Sequence, residues 1–204
     1  MDIVVVDYGL GNLQSVYNAL KFLNADVKVS GSPQAVNNAK KIIVPGVGAF
    51  DDTIKELAKR KLISPIKNFI KSGRIYLGIC LGLQILFEAS DEGKEKGLSV
   101  FKGRVRRFHE KGLKIPHMGW NNVKIIKKNA SLAEAITGRE YYYFVHSYFA
   151  LPIDASIVAG ITAYGKTSFA SMIAEGNVYA AQFHPEKSQE TGLRFLKDFV
   201  HLKD

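Results

Sequence analysis

Four aliphatic residues in a row, Ile3-Val4-Val5-Val6, stand between Asp2 and Asp7. A short, unbroken, β-branched run of this kind predicts a strand buried on both faces, as parallel sheets require. Tyr8-Gly9-Leu10-Gly11-Asn12 follows, and then Leu13, Val16, Tyr17, Leu20 and Leu23 recur mostly every third or fourth position, the spacing of an amphipathic helix. The unit repeats. Val27-Lys28-Val29 predicts a strand, Gly31-Ser32-Pro33 a turn into a short helix, and Ile42-Ile43-Val44 a strand ending at Pro45-Gly46. Helical stretches run through Ile54–Leu57 and Ile66–Ile70, and Ile75-Tyr76-Leu77-Gly78-Ile79 predicts a fourth strand that runs into Cys80. Strands alternating with helices imply right-handed crossovers and a mainly parallel sheet.

The second half has another rhythm. Alternating or aromatic-rich runs at Val100–Phe108, Val123–Ile126, Tyr141–Phe149, Ile157–Ala163, Ser168–Ala174 and Val178–Phe183 predict a more antiparallel extension of the same sheet. A closing helix is expected from Glu186 to Leu202, with Leu193, Leu196 and Val200 as its apolar stripe. The polar segment Asp91–Lys96 reads as an exposed, mobile loop, too short to divide domains, and no low-complexity linker separates the halves. The expectation is one domain over residues 1–204: an α/β three-layer sandwich around a mainly parallel sheet.

Composition narrows the function classes. A chain of 204 residues that is 47% hydrophobic can bury a sizeable core. Its 28 Lys and Arg against 19 Asp and Glu give a formal net charge of +9, which favours an anionic ligand, an acidic partner or nucleic acid without choosing among them. Cys80 is the single cysteine, so disulfide frameworks and multi-cysteine metal sites are excluded. No apolar run approaches the roughly 18 residues of a membrane span. Met1-Asp2-Ile3 lacks the basic start of a signal peptide. A soluble, cytoplasmic protein is expected.

Gly78-Ile79-Cys80-Leu81-Gly82, with a strand before it and an apolar helix after it, has the form of a nucleophile elbow with cysteine in the serine position. A helix N-terminus there would favour a thiolate. A buried core cysteine beside strand-end glycines fits the same residues, and what decides between them is Gln182-Phe183-His184-Pro185-Glu186 further along the chain. A thiolate needs a base, and the base an orienting carboxylate. His184 and Glu186 are two apart, so along an extended strand end both point to one side. Trp120, the only tryptophan, follows Pro116-His117-Met118-Gly119 in what reads as a turn, and fits either an interface anchor or a core aromatic. The basic runs Lys102–Arg107 and Lys124, Lys127, Lys128 read as solvated faces, since no nucleic-acid-binding signature accompanies them.

Taken together, Pro45-Gly46-Val47-Gly48, Gly78–Gly82 with Gln84, and His184-Pro185-Glu186 resemble the class I, triad-type glutamine amidotransferases. The resemblance implies that family's α/β fold and a glutaminase with Cys80 as nucleophile, His184 as acid and base, and Glu186 as its orienting partner. An oxyanion hole would draw on Val47, Gly48 and Leu81, and L-glutamine on Gly46, Gln84, Glu92, His146, Ser147 and Tyr148. Non-glycine Val47 restricts the backbone that must aim one oxyanion donor inward, which predicts a site incomplete at rest. Within the family, Pro116–Asn121, Val145–Tyr148 and His184–Ser188 are similar to the branch that passes ammonia to a (β/α)8-barrel cyclase subunit of imidazole glycerol phosphate synthase. By that resemblance Asn12, Pro116, Met118, Trp120 and Lys187 would meet the partner, and neither a cofactor nor a metal is implied. The alternatives are a glutaminase serving another synthase and a basic nucleic-acid-binding protein on the same scaffold.

Overall fold

In the computed structural model, which describes residues 2–127, 132–133 and 136–203, the first half follows the alternation that the apolar spacing predicts. Its elements are β1 (Ile3–Val6), α1 (Leu13–Phe22), β2 (Val27–Ser30), α2 (Pro33–Asn38), β3 (Lys41–Gly46), α3 (Phe50–Lys59), α4 (Ile63–Lys71) and β4 (Ile75–Cys80). β1 lies between β2 and β3, β4 lies beside β3, and all pairings are parallel. Every residue of β1, β3 and β4 is buried, because helices cover both faces.

The remaining elements are α5 (Leu81–Gln84), β5 (Ala89–Ser90), β6 (Gly103–Arg107), β7 (His117–Asn122), β8 (Lys124–Ile125), β9 (Tyr141–His146), β10 (Tyr148–Pro152), β11 (Val158–Tyr164), β12 (Thr167–Glu175), β13 (Val178–Ala181) and α6 (Gln189–His201). Period-two alternation sends the two sides of each central strand to different cores. Ile3, Val5, Ile43 and Leu77 share one with Val16 and Leu20 of α1 and Phe195, Leu196 and Phe199 of α6. Val4, Val6, Ile42, Val44 and Tyr76 share the other with Val36 of α2, Ile54 and Leu57 of α3, and Ile66 and Phe69 of α4. These are the three layers of the sandwich.

The main sheet has the order β2-β1-β3-β4-β13-β12-β11-β8, parallel as far as β13 and antiparallel beyond it. The antiparallel extension is thus β12, β11 and β8. Contrary to the expectation of one continuous sheet, the runs at Val100–Phe108 and Tyr141–Phe149 do not join it: β10-β6-β5 and β7-β9 form two small sheets of their own. The chain breaks at Ser147, where β9 leaves β7 and β10 begins pairing with β6. Burial along β9 alternates strictly, so this strand has a single core face and does not need the two-sided cover of the main sheet.

Three further expectations change. Met118 and Trp120 lie on strand β7 rather than in a turn. The closing helix starts at Gln189, after one 3-10 turn over Pro185–Lys187, and its buried residues are Gly192, Phe195, Leu196 and Phe199, with Leu193 and Val200 only partly covered. The loop Asp91–Lys96 is pinned: Asp91 pairs with Arg104 and Arg106 at 2.7 and 3.0 Å, and the Asp51 carboxylate accepts from the Lys94 and Glu95 amides at 2.9 and 3.0 Å. Among the described residues no helix is long and apolar enough to cross a membrane. Lys128 lies outside the described residues.

Candidate active site

Cys80 closes β4 with φ 54° and ψ −103°, a left-handed conformation that a residue with a side chain adopts at a cost of roughly 1–3 kcal/mol. The turn is held by close backbone approach. A Cβ on Gly82 would run into the Val44 carbonyl oxygen, and one on Gly78 into the Gly82 carbonyl oxygen. The helix that follows is only the single turn of α5, too short for an appreciable macrodipole. Stabilisation of a thiolate therefore falls to neighbouring side chains rather than to the helix N-terminus that the sequence predicts.

Those side chains come from β13, which pairs with β4 so that Ala181 stands opposite Ile79. The chain leaving β13 crosses the elbow. Gln182, fully buried, donates Nε2–H to Cys80 Sγ at 3.5 Å, a contact that the sequence does not assign to the site. His184 follows two residues on, its side chain 2% exposed, with Nδ1 2.8 Å from Glu186 Oε1. A carboxylate only accepts, so Nδ1 carries the proton and Nε2 is left for chemistry. Nε2 is buried without a hydrogen bond of good geometry. Burial pushes the His184 imidazole down, but the negative charge of a Cys80 thiolate, together with Glu186, outweighs it and holds His184 above the ordinary histidine range.

Cys80 opens into a cavity of about 470 Å³ at the carboxyl ends of β3 and β4, where open α/β sheets bind their ligands. Val47, Gly48, Leu81, Gln84, Glu92, His146, Ser147 and Tyr148 all line it. His184, Glu186 and Gly46 are not among its lining residues. Gly46 is opposite Cys80 in the β3–β4 register, and a Cβ there would strike the Tyr8 hydroxyl. That hydroxyl donates to the Pro45 carbonyl at 2.7 Å and fixes the base of the loop. Gly48 takes φ +120°, whereas Val47 keeps a negative φ and is 37% exposed. Both N–H groups of Gln84 are committed, to Tyr148 O at 2.9 Å and Gln182 Oε1 at 3.1 Å, so Oε1 is the atom left for a ligand. Glu92 Oε2 accepts from the Phe50 amide at 2.7 Å; burial raises its carboxyl above the usual value, a penalty that a cation in the cavity would relieve.

The whole chain can be compared with known proteins on this footing. The family model described as glutamine amidotransferase class-I matches residues 4–202. The chain belongs to this family. Among curated relatives, imidazole glycerol phosphate synthase subunit HisH from Gloeothece citriformis is 46% identical over 200 residues, covering 98% of this chain and 95% of the relative. The protein of the same name from Thermosynechococcus vestitus is 45% identical over 201 residues, covering 98% of this chain and 96% of its own. The solved structure of PurLQS from Thermotoga maritima superposes with a TM-score of 0.77 at 20% identity, over 98% of this chain and 97% of that one, and shares the fold.

In this class-I amidotransferase the remaining anticipated residues lie around the cavity mouth and beyond it. Pro116 and Lys187 line the cavity, and the Lys187 ammonium is 6.0 Å from the Tyr143 ring centroid. Met118 and Trp120 are 58% and 46% exposed, which settles the core-or-surface alternative for Trp120: its ring meets Tyr143 edge-on, and the rest faces outward. Asn12 caps α1, its Oδ1 accepting from the Ser15 amide at 3.3 Å, and it stays outside the cavity. One further residue of the amidotransferase escapes sequence reasoning. His117, buried on β7, is directly opposite His146 and bonded to it at 2.9 Å.

Proposed function

We propose that this chain is the glutaminase subunit of an imidazole glycerol phosphate synthase, hydrolysing L-glutamine with Cys80, His184 and Glu186 and passing the ammonia on. The observation that carries the reading is the convergence of a strained cysteine and a buried, carboxylate-bound histidine beside a cavity lined by Gln84, Glu92, His146, Ser147 and Tyr148. Near-full-length relatives named as that subunit supply the choice of synthase.

The Cys80 thiolate attacks the side-chain carbonyl carbon of glutamine. The oxyanion is met by N–H donors at Leu81 and in the Val47-Gly48 loop, each worth about 3–4 kcal/mol where such donors have been removed. His184 Nε2–H protonates the departing nitrogen, the C–N bond breaks, and ammonia leaves a thioester on Sγ. Nε2, now deprotonated, takes a proton from water; the hydroxide attacks the thioester, glutamate departs and the thiolate returns. Glu186 keeps the Nδ1 proton in place and stabilises the imidazolium. Glu92 and Gln84 Oε1 accept from the substrate ammonium, and His146, Ser147 and Tyr148 flank its backbone.

The partner is a (β/α)8-barrel cyclase subunit, docked on the face that carries Asn12, Pro116, Met118, Trp120 and Lys187, and the pair works in the cytoplasm in histidine biosynthesis. The exposed side chains of Met118 and Trp120, on the strand that follows the cavity-lining Pro116, support that docking face. The test is covalent labelling with a glutamine analogue bearing an electrophile at the amide position. The adduct is expected on Cys80; an adduct on any other residue contradicts the reading.

A further inference from the structure

A backbone carbonyl can only accept hydrogen bonds, and the carbonyl of Tyr148 accepts two. One comes from Gln84 Nε2 at 2.9 Å and the other from His146 Nδ1 at 2.8 Å. That oxygen fixes proton positions along two arms. On the first arm, the second N–H of Gln84 must go to the oxygen of the Gln182 amide, at 3.1 Å. The nitrogen of that amide is thereby turned toward Cys80 Sγ, at 3.5 Å. Gln182 has no freedom to present its oxygen to the sulfur without setting two N–H groups or two oxygens against each other.

On the second arm, His146 holds its proton on Nδ1, so Nε2 is an acceptor and His117 must donate to it from Nδ1 at 2.9 Å. His117 Nε2 in turn accepts from Asn121 Nδ2 at 3.1 Å. The far end is fixed independently. Asn121 Oδ1 accepts from the Asn122 amide at 2.8 Å and Nδ2 donates to the Ala163 carbonyl at 2.9 Å, so nitrogen is the end that faces His117. Both anchors demand the same proton order, and the chain between them has no conflict. The two imidazoles are buried among Phe108, Phe144, Tyr164 and Phe169, and burial lowers both below the ordinary histidine value. A second proton on either ring would set two N–H groups against each other.

Accepting Cys80 as the nucleophile, we propose that Gln182 is a positioning residue for its thiolate, oriented through Gln84 by the Tyr148 carbonyl, and that the His146–His117–Asn121 arm ties this same carbonyl to the strand bearing Met118 and Trp120. A donor held on sulfur favours the thiolate over the thiol and fixes the direction of its attack. An oxygen in its place would do the reverse.

The experiment is the pH profile of Cys80 alkylation by chloroacetamide, a neutral reagent from which the thiolate displaces chloride, measured on the full chain. Replacing the donor in Gln182→Met is expected to move the profile upward by about one pH unit, a roughly tenfold slower reaction on its rising limb that recovers on the high-pH plateau. Gln182→Glu keeps the acceptor for Gln84 but sets a carboxylate against the sulfur, and it moves the profile further in the same direction. An unmoved profile in folded variants overturns the assignment. On the unaltered chain, nitrogen NMR of the imidazoles is expected to find His117 and His146 neutral and protonated on Nδ1 at neutral pH; an Nε2 proton on His146 overturns the link to the strand. Glutamine turnover surviving in Cys80→Ala would remove the nucleophile reading instead, and leaves the alkylation profile as a separate result.

Discussion

His117 and His146 stand opposite each other in the β7–β9 ladder, their rings joined Nδ1 to Nε2 at 2.9 Å in a wholly buried pair. Two adjacent imidazoles in an apolar cage remain neutral, and that neutrality has a thermodynamic consequence.

Burial, with His184 and His117 adding a smaller push on His146, lowers His117 to about 4 and His146 to about 3. The unfolded chain takes up these protons near the ordinary value, about 6.5. A depressed folded value gives stability that is present above about 6.5 and lost as pH falls toward about 4, at up to about 1.4 kcal/mol per pH unit for each ring. His184, raised, has the opposite sign: its contribution is full below about 6.5 and fades as pH rises from there through its folded value. Urea unfolding between about pH 5 and 6.5 is expected to show this slope and His117→Phe a shallower one. Equal slopes would contradict the neutral pair.

In the proposed reaction Glu186 acts through His184, and its replacement should cost less than loss of the base. In Glu186→Gln the side-chain amide oxygen can still accept from Nδ1–H but no longer supplies the charge that helps to raise His184. Glu186→Gln is expected to lower kcat by roughly a hundredfold or more while remaining above His184→Ala, since triad orienters are less costly to remove than the base itself. The basic-side limb that reports His184 in the kcat/KM profile should move to lower pH. No loss in Glu186→Gln would make the glutamate only a charge near a helix start.

Much of this is legible in the sequence because parallel strands buried on both faces write their position as unbroken apolar runs. Ile3–Val6, Ile42–Val44 and Ile75–Ile79 carry both the sheet and, at their ends, the Gly46 and Cys80 positions. His184 and Glu186 are legible through their spacing. Gln182 is not, because a lone glutamine just past an apolar strand has no periodic signature and its partners Gln84 and Cys80 lie 98 and 102 residues away. The β9–β10 break at Ser147 is hidden for a related reason. One aromatic-rich run serves two sheets, and only pairing with β7 and β6 divides it.

On the proposed function, Val47 is the residue expected to make the site dependent on its partner. A β-branched residue resists the backbone conformations that Gly48 enters freely, so a second oxyanion donor in this loop would need the loop to shift. Moving a two-state loop from 1:99 to 99:1 takes about 5.5 kcal/mol of differential binding. Steady-state glutaminase kinetics on the chain alone, with the cyclase subunit, and with that subunit plus its nucleotide substrate should show kcat rising in that order. Equal kcat in all three would contradict the switch. Trp120→Ala should weaken the activation; unchanged activation would remove Trp120 from the coupling and leave the loop argument intact.

The most direct test of the central claim uses the complex of the Cys80→Ala chain with the cyclase subunit, fed either glutamine or ammonium salt. The thiol serves only to release ammonia, so glutamine-dependent formation of imidazole glycerol phosphate is expected to vanish while ammonia-dependent formation stays at the level of the unaltered complex. Glutamine-dependent product from the Cys80→Ala complex would contradict the account.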